Sequence, residues 1–192
     1  QPKYGDWLAT LREAATTGEP AFLDACRQTM ARHASTRERL PVLDRFYRET
    51  LADIPAPRSV LDLACGLNPL AIPWMPLASQ AEYVAVDVVG GLVQFLGEFM
   101  QWVPVRGRAV RADILSGSDM RNSPAAESMI EFPAGGVFDL ALVLKTIPCL
   151  EQVDKSAGRR ILENIPARRL LVSFPGRSLG GRARGMVENY EA

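Results

Sequence analysis

The chain has 192 residues, 47% of them hydrophobic and 23% charged, a composition that supports a buried core and excludes an intrinsically disordered chain. Lys+Arg (22) equals Asp+Glu (22), which excludes a polybasic protein that coats nucleic acid along its whole length but leaves room for a local basic face. No stretch approaches the roughly 18 apolar residues of a membrane span, no signal-peptide pattern opens the chain, and three scattered cysteines with one histidine suit neither a disulfide framework nor a zinc site. No metal and no membrane are expected, and the chain reads as cytoplasmic.

Residues 1–55 read as helical. Leu8, Leu11 and Ala15, then Phe22, Leu23, Cys26 and Met30, recur at helical spacing, and Thr16-Thr17-Gly18-Glu19-Pro20 separates two helices. A third helix is expected after Ser35, because Ser35 and Glu38 match the S-x-x-E capping box. Leu40, Leu43, Tyr47 and Leu51 then form its apolar stripe. Arg37 and Arg39 fall in its first turn, where a cation opposes the helix dipole by roughly 0.3–1 kcal/mol. A bound anion would relieve that, although a solvated arginine is the plainer reading, and His33 reads as structural before catalytic. Ile54-Pro55-Ala56-Pro57 is a stiff break, which divides a helical extension (1–55) from a second domain (56–192).

From residue 58 the pattern changes to short apolar runs. They cover Ser59–Ala64, Glu82–Asp87, Gly107–Asp113, Phe138–Lys145 and Arg169–Phe174. Continuous apolar runs of this length suit strands buried on both faces. Leu92–Trp102 and Arg159–Asn164 are candidate helices between them. Alternating strands and helices predict an α/β fold with a parallel sheet. Residues 116–136 lack periodicity and read as a long irregular insertion.

Ligands of open parallel sheets sit beyond the carboxyl ends of the strands. Asp62-Leu63-Ala64-Cys65-Gly66 turns out of the first strand, and Gly66 permits a close backbone approach. Asp87 ends the second strand, 21 residues after Gly66, and can accept hydrogen bonds from ribose hydroxyls. Asp113 ends the third, where a carboxylate can accept from the exocyclic amine of adenine, and Lys145 ends the fourth. A dinucleotide site needs G-x-G-x-x-G, so that a helix N-terminus receives the pyrophosphate. Here Leu67-Asn68-Pro69 follows Gly66, and D-x-A-x-G with a later acid favours S-adenosylmethionine over a nicotinamide cofactor. Asp62 alone reads equally well as a residue capping its own turn.

Residues 165–187 carry Arg168, Arg169, Arg177, Arg182 and Arg184 without an acid. Arginine forks match phosphate oxygens, so this stretch is a candidate phosphate-backbone contact, the alternative being a solvated loop. The residues after the fourth strand, Lys145-Thr146-Ile147-Pro148-Cys149, lack the Asn/Asp-Pro-Pro-aromatic motif of amino-methylating enzymes. Cys149 follows a proline, as in RNA cytosine-C5 methyltransferases, but reads as a small buried residue. An acceptor with its own lone pair, such as guanine nitrogen-7, needs neither base nor nucleophile, only positioning of a base flipped from its stack.

Three blocks carry a family resemblance. His33-Ala34-Ser35-Thr36-Arg37-Glu38-Arg39-Leu40, Leu61-Asp62-Leu63-Ala64-Cys65-Gly66-Leu67-Asn68-Pro69-Leu70-Ala71 and Val172-Ser173-Phe174-Pro175-Gly176-Arg177-Ser178-Leu179-Gly180-Gly181-Arg182 closely resemble the aminoglycoside-resistance 16S ribosomal RNA methyltransferases, which modify nitrogen-7 of guanine 1405. The match covers about residues 30–190 and is nearest the self-protection enzymes of aminoglycoside-producing actinomycetes. The resemblance implies a Rossmann-like class I S-adenosylmethionine-dependent methyltransferase with a helical N-terminal extension that docks on 16S rRNA in the 30S subunit. It implies a cofactor site lined by Arg39, Gly66, Asp87, Asp113 and Lys145, to which His33, Asp62, Ala64, Val88 and Ile114 are added as expected contacts. It places Arg177, Arg182, Arg184 and Glu188 where the family engages RNA or the target base, with Lys145, Arg177 and Glu188 as positioning candidates. Family members are longer at both ends, so further helical residues and the last sheet strands are expected outside these 192 residues. A monomer is the default expectation. A non-catalytic ribosome-binding module, an RNA cytosine-C5 methyltransferase and a small-molecule methyltransferase are the alternatives.

Overall fold

The computed structural model describes residues 3–115, 130 and 132–174. Five parallel strands, β1 (Ser59–Leu63), β2 (Glu82–Asp87), β3 (Arg106–Arg111), β4 (Leu140–Leu144) and β5 (Leu170–Ser173), form one sheet in the order β3-β2-β1-β4-β5. The register sets Leu63 beside Val86, Asp87 beside Arg111 and Leu144 beside Ser173, so the carboxyl ends share one rim. Five strands form where five apolar runs were expected, with two corrections. Asp113 lies beyond β3, not on its end. Only β1, β2 and β4 are buried along nearly their whole length, whereas β3 and β5, the outer strands of the described sheet, are partly exposed, with Arg106 and Arg111 at the two ends of β3 exposed.

Strand pleating sorts the side chains into two apolar cores. Val60, Tyr83, Ala85, Leu140 and Leu142 face the N-terminal helices. Leu61, Leu63, Val84, Val86, Ala141 and Val143 face the opposite layer. That opposite layer holds α6 (Ile147–Glu151) and α7 (Ala157–Asn164), whose Ile147, Leu150 and Ile161 complete its core.

On the first face lie α1 (Tyr4–Thr17), α2 (Glu19–Met30) and α5 (Gly90–Phe99). Gly18, at φ +136°, turns the chain between α1 and α2, and its N–H closes α1 on the Ala14 carbonyl. Tyr4 and Trp7 pack against Phe95, and Phe22 stacks on Phe99, so the helices of residues 4–30 share one core with the sheet. The expected third helix is broken into α3 (Ala34–Arg37), a 3-10 turn (Leu40–Val42) and α4 (Leu43–Thr50). The capping box does not form: α3 starts before Ser35, whose hydroxyl lies 2.8 Å from Nδ1 of His33, while Glu38 pairs with Lys145 across the molecule. Leu43, Tyr47 and Leu51 of the stripe are buried as expected.

The β1–β2 crossover is a 3-10 stretch (Asn68–Trp74). Pro73 works against an α-helix there, since its ring lacks the N–H and crowds the carbonyl four residues back, whereas Pro69 lies in the first turn, where no donor is needed. Helices α5 and α7 each begin two residues before their expected starts. Among the described residues no helix is long and apolar enough to cross a membrane, and no cluster of His, Cys, Asp and Glu could hold a metal. Most of the 116–136 insertion lies outside the described residues.

Candidate cofactor site at the strand ends

The turn leaving β1 is bent by two left-handed residues, Ala64 (φ +48°) and Gly66 (φ +52°), and Lys145 (φ +61°) bends the chain out of β4 in the same way. Left-handed backbone costs a non-glycine residue roughly 1–2 kcal/mol. Two of the three such residues among those described lie on this rim; the third, Gln80, lies just ahead of β2.

Asp87 fastens the turn. Its Oδ2 accepts the Gly66 N–H at 3.0 Å and its Oδ1 accepts the Val89 N–H at 3.0 Å, so one carboxylate joins the β1 turn to the entrance of α5. The His33 ring covers the turn: a Cβ added at Gly66 would stand 3.3 Å from Cε1 of His33. Partial burial lowers the His33 pKa; the carboxylate of Asp87 opposes that shift and the Arg39 guanidinium adds to it.

Beneath the turn lies a buried polar cluster. Asp62, 1% exposed, accepts from Nδ2 of Asn68 at 2.9 Å and from the Tyr83 hydroxyl at 2.7 Å, both on Oδ2. Asn68 Oδ1 accepts from Nη2 of Arg39 at 2.7 Å and from the Tyr47 hydroxyl at 2.5 Å. Burial pushes the Asp62 carboxyl up to about 6; the bonds from Asn68 and Tyr83 and the Arg39 charge pull it down, and Asp87 pushes it further up. Two atoms of the cluster, Nη1 of Arg39 and Oδ1 of Asp62, are buried without a hydrogen-bond partner among the described residues. One carries positive charge and the other negative, and an unpaired buried charged atom is costly. A zwitterionic amino-acid group, with one carboxylate and one ammonium, has the donor and acceptor that these atoms lack.

The remaining expected residues are placed as follows. Arg39 is 6% exposed and lies outside any α-helix, so the reading of a solvated first-turn arginine is corrected: its partner Asn68 takes it into the core. Arg37 ends α3, where its charge suits the dipole, and is exposed. Asp62 does not cap its own turn but lies within β1. Lys145 forms an ion pair with Glu38 and joins the rim to the helical region. Val88 is 57% exposed. Asp113 is exposed, with Oδ1 accepting the Leu115 N–H at 2.9 Å, and Ile114 leans on the second core. Cys149 is exposed, not the small buried residue expected; its Sγ lies 3.8 Å from the Lys145 carbonyl. Cys65, at the turn, is buried, and that burial raises its thiol pKa well above the ordinary value. Arg177, Arg182, Arg184 and Glu188 lie outside the described residues.

Sequence reasoning missed Tyr47, Asn68 and Tyr83 as members of this cluster. Their signal was legible in part. Tyr83 interrupts an apolar strand run, and Asn68 closely follows the turn glycine, positions where a buried polar group needs a stated partner.

A parallel sheet in this order, with its polar cluster under the β1 turn and an acid fastening that turn, defines a Rossmann-like methyltransferase fold with a helical N-terminal region. The chain belongs to the family described as Ribosomal RNA methyltransferase (FmrO), which matches residues 1–192. It is 38% identical over 190 residues to a 16S rRNA (guanine(1405)-N(7))-methyltransferase of Micromonospora rosea, covering 98% of this chain and 64% of that protein. The corresponding enzyme of Frankia casuarinae is 38% identical over 192 residues, covering 100% of this chain and 63% of its own. The crystal structure of 16S rRNA methyltransferase RmtF in complex with S-adenosyl-L-homocysteine superposes with a TM-score of 0.72 at 31% identity, over 97% of this chain and 64% of that one. The 16S rRNA methylase ArmA, 22% identical, shares the fold with a TM-score of 0.66 over 98% of this chain and 84% of that one. The chain thus spans a little under two thirds of the length of these curated relatives.

Proposed function

We propose that the chain acts in an S-adenosylmethionine-dependent methyltransferase that methylates nitrogen-7 of guanine 1405 in 16S rRNA and so confers aminoglycoside resistance. The observation that carries this reading is the pair of oppositely charged, unpartnered buried atoms, Nη1 of Arg39 and Oδ1 of Asp62, beneath a turn fastened by Asp87. The family and the names of the 38% identical relatives supply the substrate.

S-adenosylmethionine supplies, when bound, a methyl group on a sulfonium sulfur. Arg39 is proposed to take its carboxylate and Asp62 its ammonium. Asp87, with each oxygen already held by one backbone N–H, keeps lone pairs that would accept from the ribose hydroxyls, and Asp113 would accept from the adenine amine. His33, Ala64 and Gly66 line the turn, while Val88 and Ile114 would flank the adenine ring of the cofactor. No side chain need remove a proton, because guanine nitrogen-7 brings its own lone pair. The work of the protein is to hold donor and acceptor in line and to exclude water. Lys145 lies on the same rim as a positioning candidate, together with Arg177 and Glu188.

Arg177, Arg182 and Arg184 are proposed to contact the RNA backbone, and the helices of residues 1–55 to dock on the 30S subunit, with the chain acting as a monomer in the cytoplasm. Transfer from radiolabelled S-adenosylmethionine tests this: label is expected on assembled 30S subunits and not on 50S subunits. Label on neither particle, from a sample that binds S-adenosylhomocysteine, contradicts the substrate assignment.

A further inference from the structure

The polar cluster contains an arginine and an aspartate that do not touch. Arginine and carboxylate side by side form a bidentate pair, in which the two charges neutralise each other. Here the carboxamide of Asn68 stands between them. Its oxygen faces Arg39 and its nitrogen faces Asp62, so its dipole opposes neither charge.

The amide cannot turn over. Oδ1 takes two donors, Arg39 and Tyr47, and a flipped amide would point its N–H group at the donor-only guanidinium of Arg39 and its oxygen at the Asp62 carboxylate. Tyr83 adds a second bond to the same Asp62 oxygen that Asn68 holds. Each charged group is therefore gripped by one atom and leaves the other over: Nη2 is bound and Nη1 is not, Oδ2 is bound and Oδ1 is not. The residues involved are all buried, Tyr47 and Tyr83 at 0% exposure, Asn68 and Asp62 at 1% and Arg39 at 6%. Phe46 backs the guanidinium, 5.8 Å from its ring centre.

We infer that Asn68 is a positioning residue for the amino-acid end of the methyl donor: it keeps Arg39 and Asp62 from neutralising each other and leaves each with one free atom for the opposite charge of the ligand. Tyr47 and Tyr83 fix Asn68 in the orientation this requires. The inference rests on the S-adenosylmethionine reading above, and it makes the cluster the part of the site that selects for a zwitterionic tail.

The test compares two ligands by calorimetric titration of the full chain. S-adenosylhomocysteine carries the amino-acid end; 5′-methylthioadenosine lacks it and keeps the adenosine. In Asn68→Ala the affinity for S-adenosylhomocysteine is expected to fall at least tenfold, while that for methylthioadenosine stays within twofold. Asn68→Asp, whose carboxylate would pair with Arg39 and repel Asp62, is expected to show the same selective loss, larger in size. Should circular dichroism show Asn68→Ala unfolded, Tyr47→Phe keeps the bulk and removes one bond to Oδ1, with a several-fold selective loss expected. Equal losses for both ligands in a folded variant, or no loss for either, would overturn the inference while leaving the methyltransferase reading intact. A wild-type chain that binds neither ligand would overturn that reading and this inference together.

Discussion

Asp62 is kept in the core at a cost to stability. Its carboxyl titrates at about 6 in the folded chain, above the ordinary 3.8, because burial disfavours the ionised form. The sign follows from proton linkage: between those two values the folded state binds more protons than the unfolded one, so this group's contribution is intact below about pH 4 and is lost as pH rises through 6. The rise from 3.8 to about 6 corresponds to on the order of 3 kcal/mol at neutral pH. Asp62→Asn is therefore expected to raise the thermal midpoint at pH 7, to flatten the decline between pH 4 and 6, and to weaken S-adenosylhomocysteine binding. A variant with an unchanged pH slope in thermal unfolding would refute that account of Asp62. Asp87 acts in the other direction, as a fastener. Asp87→Ala leaves the N–H groups of Gly66 and Val89 without their acceptor and removes the proposed ribose contact. It is expected to lower affinity by more than about a hundredfold, the size of one or two lost charge-assisted hydrogen bonds. Micromolar binding retained in a titration of this variant would count against the site.

Among the elements, β2 was legible to the residue, because an apolar run bounded by a turn and an acid admits one register. The broken helix over residues 34–50 was not. The S-x-x-E pattern is a local signal, and both of its members found better partners elsewhere: Ser35 the His33 ring, and Glu38 the Lys145 ammonium, 107 residues away. Arg39 was misread for the same reason, since Asn68 lies 29 residues further on. The position of Asp87 was readable because sheet topology fixes what lies at a carboxyl end, whereas Asp113 falls beyond the end of β3. The cluster beneath the β1 turn was not, because it depends on Asp62 and Tyr83 facing the same side of neighbouring strands. Leu11 tests how tightly the helical layer belongs to the sheet. It is fully buried in the core that also holds Val60 and Tyr83. Leu11→Ala is expected to cost about 3 kcal/mol and to lower the midpoint of one cooperative transition. Separate transitions for helical and sheet signals would show that the two layers fold independently.

For the whole molecule, charge balance conceals asymmetry. Net charge is zero, yet residues 165–187 contain five arginines and no acid. Phosphate contacts release counterions, so each contributes nearly one to the slope of log affinity against log salt. Replacing Arg182 and Arg184 together by alanine is expected to weaken binding to small subunits and to reduce that slope by about one to two. An unchanged slope would remove this segment from the RNA interface. The central claim concerns a single atom on a single base. Small subunits incubated with the chain and S-adenosylmethionine, then reduced and cleaved with aniline, report every guanine methylated at nitrogen-7. One new cut at position 1405 of 16S rRNA, dependent on S-adenosylmethionine and absent with Asp87→Ala, is the predicted result. Methyl transfer to the subunit with the cut elsewhere, or with no aniline-sensitive site, would contradict it.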